Sequence, residues 1–343
     1  MHACIIETTI TEKEYLSVVH SESCGIKNRS PTTECFYISK LHDQGLRNII
    51  YKKNHYTIEG AATSNWCITI FINFQAFLLS DDLHSYNPIT FNSTEFISAL
   101  ENCLSSNIKG YLPEKHSWRF TKIEYSKDFY IDNTFMKQVL KICNYLDYRK
   151  KMQFTTYPSG IEFFAKLKNG QKTSAFHIYY KLEEQLHKGY PLTIAEMDRR
   201  NFFRIESIHY RDSIGDLSRE NGFPLGNLDC FANPYMENRE LSQMLNSIYG
   251  KSTYRKRKDA VNIIRHNISS VSMQNKLINL LDKINRKTIK EVRDGFKQQN
   301  RLQIYNGYIT KLEHMDINLV YLPYDYPVSS LPPLSKQIFQ EGE

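Results

Sequence analysis

The stretch TSAFHIYYKLEEQLHK, residues 173–188, gathers two tyrosines, two histidines, two lysines and two glutamates. A phenol can attack phosphorus and hold the product as an ester. A lysine can steady the phenolate or the phosphate oxygens, and a histidine can take a proton. Side chains along a strand alternate between faces. Phe176, Ile178, Tyr180 and Leu182 therefore make an apolar face, and Thr173, Ala175, His177, Tyr179 and Lys181 a polar one. Tyr179 is expected on the wet side and Tyr180 in the core. His177 reads either as a proton acceptor or as a hydrogen-bonded sheet histidine. Two other segments divide in the same way. In RFTKIEYS, Glu124 shares a face with Lys122 and Phe120; in FFRIESIHYR, Glu206 shares one with Arg204.

The elements that must position these groups follow from periodicity and turn chemistry. Residues 1–112 read as mostly strand with one helix, STEFISALENCLSSN, where Ser93 and Thr94 are candidate N-caps and Phe96, Ile97, Leu100 and Leu104 have helical spacing. Pro113 marks a boundary. Residues 113–235 read as an antiparallel-sheet core. Within it FMKQVLKICNYLDYRKKM carries a stripe of Phe135, Val139, Ile142 and Leu146, and two β-rich runs flank Asn169-Gly170, a pair suited to a tight hairpin turn. Residues 236–322 read as basic helices and 323–343 as a proline-rich extended tail. No sequence repeat is visible. The fold class expected is α+β, a central antiparallel sheet followed by a helical C-terminal domain.

Length and composition narrow the classes. The 343 residues suffice for two or three domains. No apolar run approaches a membrane span, and the N-terminus lacks the layout of a secretion signal, so a cytoplasmic protein with no membrane partner is expected. Seven scattered cysteines without a C-x-x-C pair read as reduced thiols rather than a disulfide framework or a zinc site. Charge is uneven: residues 236–322 hold sixteen Lys and Arg against eight Asp and Glu, a net +8, whereas the whole chain is +7. A basic region confined to one part of a chain points to a polyanion partner there. STYRKRKD and KINRKTIKEVR supply the candidate backbone contacts Arg255, Lys256, Arg257, Lys258, Arg286 and Lys287.

An ordered set of blocks resembles the gene II/X replication initiators of filamentous phages and related plasmids. The blocks are IFINFQAFLL, STEFISALENCL, TKIEYS, then Tyr-x-Lys-x-x-Glu at Tyr179, Lys181 and Glu184, Arg-x-Glu at Arg204 and Glu206, and a Gly-x-Pro-Leu turn at Gly222, Pro224 and Leu225. The likeness covers about residues 40–235. Two positions depart from the pattern: the acid at 124 is Glu where the family's strand more often has Asp, and a second Tyr follows Tyr179.

The resemblance implies a rolling-circle initiator of a bacterial host. Such a protein nicks one strand of origin DNA, single-stranded or supercoiled, and stays linked to the 5′ phosphate through tyrosine. It leaves a 3′ hydroxyl for a polymerase, works with a host helicase, and later rejoins the displaced strand. The candidate catalytic groups are Tyr179, Lys181 and Glu184, with Arg204 a DNA contact. The eleven histidines include no His-x-His pair, so the expected cation is Mg²⁺ or Mn²⁺ on oxygen ligands, Glu124 and Glu206 first, with Glu184 as ligand or base. The other expectation is a non-enzymatic factor that binds origin or single-stranded DNA, in which the acids are structural. A stacking single-strand binder that uses the many Tyr and Phe residues is a third.

Overall fold

The structure, a computed structural model, describes residues 3–21, 35–58, 61–79, 92–112, 116–142, 152–157, 159–187 and 202–339. The chain begins with β1 (Ala3–Ile10), α1 (Glu12–Ser21), β2 (Cys35–Ile38), β3 (Leu46–Ile58), β4 (Ala61–Asn73), α2 (Phe74–Leu79) and α3 (Ser93–Asn107). It continues through β5 (Arg119–Tyr130), α4 (Asn133–Ile142), β6 (Gln153–Tyr157), β7 (Gly160–Lys166), β8 (Lys172–Tyr180), α5 (Lys181–His187) and β9 (Phe202–Tyr210). Helices α6 (Arg211–Asn221), α7 (Leu228–Phe231) and α8 (Pro234–Tyr249) follow. The C-terminal region holds β10 (Tyr254–Arg255), α9 (Arg257–Asn267), α10 (Val271–Arg286), α11 (Ile289–Gln298), α12 (Leu302–His314), β11 (Ser330–Leu331) and α13 (Leu334–Phe339). This is an α+β architecture with a multi-stranded antiparallel sheet and a largely helical C-terminal region. Among the described residues no helix is long and apolar enough to cross a membrane.

Two compact units share the chain, each built from two separate stretches: Met1–Ser126 with Ile208–Glu237, and Lys127–Ser207 with Asn238–Glu343. The division is interleaved, with β5 and β9 each contributing to both units. The succession strand, helix, three strands, helix occurs twice, as β1 to α2 and as β5 to α5, apart from a 3-10 turn at His42–Gln44. The sequence shows no repeat because only the order of elements recurs.

In the first unit the strands run in the order β2-β3-β4-β1-β5, with antiparallel ladders. On one face of β1 and β4, Cys4, Ile6, Ile68, Ile70 and Ile72 are buried and apolar. Helix α3 adds Phe96, Leu100 and Leu104 to the core, the stripe its spacing predicts. Its N-cap is Asn92 rather than Ser93 or Thr94. The Asn92 side chain accepts from the backbone N–H groups of Thr94 and Glu95 at 3.0 and 3.2 Å.

The strands reaching into the second unit follow the order β5-β9-β8-β7-β6. The β7–β8 hairpin turns at Asn169-Gly170, where Gly170 takes φ 86° and the Asn169 side chain accepts from the Gln171 N–H at 3.0 Å. Phe163, Phe176, Ile178 and Phe203 form the core beside it. In α4, Phe135 and Val139 are buried, whereas Leu146 lies outside the described residues. Of the stretch 323–343, expected as an extended tail, the described part to Phe339 includes β11, which pairs antiparallel with β10, and α13, which buries Leu334 and Ile338.

Candidate functional site

The site belongs to the second unit and is carried by β8. Burial alternates along this strand, with Phe176, Ile178 and Tyr180 buried and His177 and Tyr179 half-buried. Tyr180 is 7% exposed and stacks on Phe203 with ring centroids 5.1 Å apart. Tyr179 faces the other way. Its hydroxyl donates to Glu206 Oε1 at 2.6 Å. The strand ends at Tyr180, so Lys181 opens α5 instead of continuing the polar face. Its Nζ still lies 5.6 Å from the centre of the Tyr179 ring and 2.9 Å from Glu184 Oε2. The expected Tyr179, Lys181, Glu184 and Glu206 are thus connected through direct contacts.

Further carboxylate contacts complete the arrangement. His177 stands between two acids, with Nδ1 3.2 Å from Glu206 Oε2 and Nε2 3.2 Å from Glu162 Oε1. Glu162 also accepts from the Tyr157 hydroxyl at 3.0 Å and pairs with Lys172. Arg204, 5% exposed, donates from both Nε and Nη2 to the carboxylate of Asp128, the latter at 2.7 Å. Arg204, expected as a DNA contact, is instead a buried charge behind the site. The acid on β5 that reaches it is Asp128, four residues beyond Glu124 and of the same strand parity. Glu124 itself belongs to the first unit, where Lys122 holds it at 2.8 Å.

The electrostatics are those of a guarded phenol. Burial and the neighbouring Glu206 carboxylate push the Tyr179 hydroxyl well above its usual range. Burial would raise Glu206 too, but the hydrogen bond from His177 and the charge of Arg204 bring it down to about 2. His177 loses charge stabilisation on burial, yet Glu206 and Glu162 raise it overall, which favours the imidazolium between them. Burial and the Arg204 charge lower Lys181, partly offset by Glu184. The cluster holds a proton on the phenol, an acceptor in contact with it, and positive charge from His177, Lys181 and Arg204 around the acceptor.

Among the described residues no group of three or more His, Cys, Asp and Glu is arranged to hold a metal ion. Mg²⁺, however, is commonly bound by one or two carboxylates with substrate phosphates and water. Glu184 is coupled electrostatically to Tyr179, but one of its oxygens is held by Lys181, and both Glu206 oxygens carry donors.

The basic C-terminal candidates fall into two groups. Arg255 bonds Asp316 through Nη2 at 2.9 Å, and Arg257 forks onto Asp282 at 2.8 and 2.7 Å. Lys258, Arg286 and Lys287 are exposed, and Lys256 is half-buried at the N-cap of α9. Sequence reasoning missed Asp128, Tyr157, Glu162 and Lys172. A scan against protein-family models and a search of curated proteins each find no match to this chain.

Proposed function

We propose that the chain is a rolling-circle type replication initiator that nicks and rejoins origin DNA through Tyr179, as its resemblance to the gene II/X initiators implies. The observation that carries this reading is the 2.6 Å hydrogen bond from the Tyr179 hydroxyl to Glu206, beside Lys181. The Tyr179 oxygen attacks phosphorus, and its proton passes to Glu206. The P–O3′ bond breaks, and Glu206 hands the Tyr179 proton on to the departing 3′ oxygen, which becomes a hydroxyl. A 5′-phosphotyrosine ester remains. Attack by a 3′ hydroxyl reverses the steps and closes the strand.

In the resting site the phenol is hard to ionise, which keeps it inert until substrate arrives. Lys181 is placed to stabilise phenolate or phosphate oxygens as charge develops. Arg204 and Asp128 fix the charge behind Glu206. Mg²⁺ or Mn²⁺ held by Glu184 and the DNA phosphate would supply neutralisation of charge on the phosphoryl oxygens. The free 3′ hydroxyl serves a polymerase as primer, with a helicase opening the duplex ahead of it.

The test is relaxation of a supercoiled plasmid carrying DNA from the replicon that encodes the chain. Relaxation with Mg²⁺ or Mn²⁺ and its loss in EDTA are expected. The non-enzymatic reading, a DNA-binding replication factor, has its own support in the exposed Lys258, Arg286 and Lys287. It predicts binding that survives EDTA and no relaxation under any condition.

A further inference from the structure

A cavity of about 220 Å³ is bounded by α4, the β6–β7 turn, the end of β8, the first turn of α5 and the start of β9. All of its lining belongs to the second unit. Protein interiors pack like organic crystals and leave few voids larger than a water molecule. At ~30 Å³ per molecule, this one has room for about seven waters. It is not the site of Tyr179. Tyr180 lines the cavity, and the Tyr179 hydroxyl bonds Glu206 on the other face of β8.

The lining divides into an apolar part and two opposite charges. Leu140, Ile161, Tyr180 and Phe203 supply the apolar part. Lys137 of α4 and Glu183 of α5 supply one positive and one negative side chain. Among the described residues neither has a hydrogen-bond or ion-pair partner. Lys181 and Glu184, in the same turn of α5 as Glu183, hold each other at 2.9 Å. Asn133 and Ser159 add an amide and a hydroxyl to the lining. An apolar hollow with a few polar groups that fix orientation is the composition of a small-molecule site. Charge then selects the class of ligand. An uncharged ring such as a nucleobase leaves both charges unanswered, and a simple amine or carboxylate answers only one. A phosphate ester is attracted by Lys137 but repelled by Glu183. A zwitterion with an apolar body answers both. Size sets the body: an apolar cavity of ~150 Å³ admits benzene, so this one takes a ring or a branched chain. Lys137 is exposed and Glu183 half-buried, which keeps the charged end of the ligand near solvent.

We infer that this cavity binds a free α-amino acid with a large apolar side chain, its carboxylate toward Lys137 and its ammonium toward Glu183. The inference stands independently of the chemistry at Tyr179. Calorimetric titration of the full chain with L-phenylalanine, L-leucine, L-methionine, glycine and L-glutamate tests it. Saturable binding of at least one of the three apolar amino acids is expected, with none of glycine or glutamate. The N-acetyl and methyl-ester forms of the bound amino acid each lack one charge and should bind about tenfold more weakly or worse. Lys137→Ala and Glu183→Ala should each weaken the free amino acid by a similar factor. Both variants should melt as the parent does without ligand, since neither side chain is bonded within the fold. Tyr179→Phe should bind as the parent does, so failure of the nicking reading would leave this result untouched. No binding of any apolar amino acid, equal binding of the blocked forms, or undiminished binding by either folded charge variant would overturn the inference.

Discussion

Tyr179 and Tyr180 are chain neighbours on opposite faces of β8, and their surroundings follow from that difference. Tyr180 packs on Phe203, whereas Tyr179 bonds a carboxylate. This contrast was legible in the sequence because strand parity is a local property. Asp128 was not singled out, although it shares the parity of Glu124, because no local pattern shows which acid on β5 meets Arg204. The buried pair they form leads to a stability prediction. Asp128→Ala should cost about 3–5 kcal/mol in urea unfolding, since it strands a buried guanidinium. A second residue-scale prediction concerns the first unit, where His116 lies 3.2 Å from Glu14 Oε1 and 3.0 Å from Glu101 Oε1. Burial opposes charge on His116, but the bonds to Glu101 and Glu14 raise it to about 9. A raised folded value means that the stabilisation is fully present below the unfolded value near 6.5 and is lost as pH rises through about 9. Unfolding free energy should fall by about 3 kcal/mol across that window, and His116→Gln should flatten the fall.

At the scale of elements, the β7–β8 hairpin makes the site. Its register sets Glu162 opposite His177 and Gly160 opposite Tyr179. Counting outward from Asn169-Gly170 gives the same two pairs, so Glu162 could have been found once the turn was placed. The contact of His177 with Glu206 could not, because the neighbouring of β8 and β9 depends on sheet order rather than on a local turn. Gly160 has a specific reason to lack a side chain. A Cβ there would sit 2.2 Å from Ile178 O and 2.5 Å from Tyr179 Cβ. Gly160→Ala must therefore push β7 away from the strand that carries the phenol. It should lower stability by about 1–3 kcal/mol and reduce any nicking even where the protein remains folded, as read by melting and by plasmid relaxation.

For the whole molecule, the sequence conveyed the class, α+β with a helical C-terminal region, and the concentration of positive charge in that region. It did not convey the division into units. Units that each draw on two distant stretches leave no local mark in the sequence, because distant strands enter the same sheet without any local signal. The proline-rich end misled for a related reason: its short strand and helix become visible only when β10 and the core partners are in place. On the proposed reading, Tyr179 is the strand-cleaving group carried by the sheet. The most direct measurement of that account is mass spectrometry of tryptic peptides after reaction with replicon DNA and Mg²⁺ or Mn²⁺. A nucleotide should be found esterified to Tyr179, should be absent from Tyr179→Phe protein, and should persist in Tyr180→Phe. An adduct on Tyr180, or none on either residue from active preparations, would contradict the assignment of Tyr179 as the nucleophile.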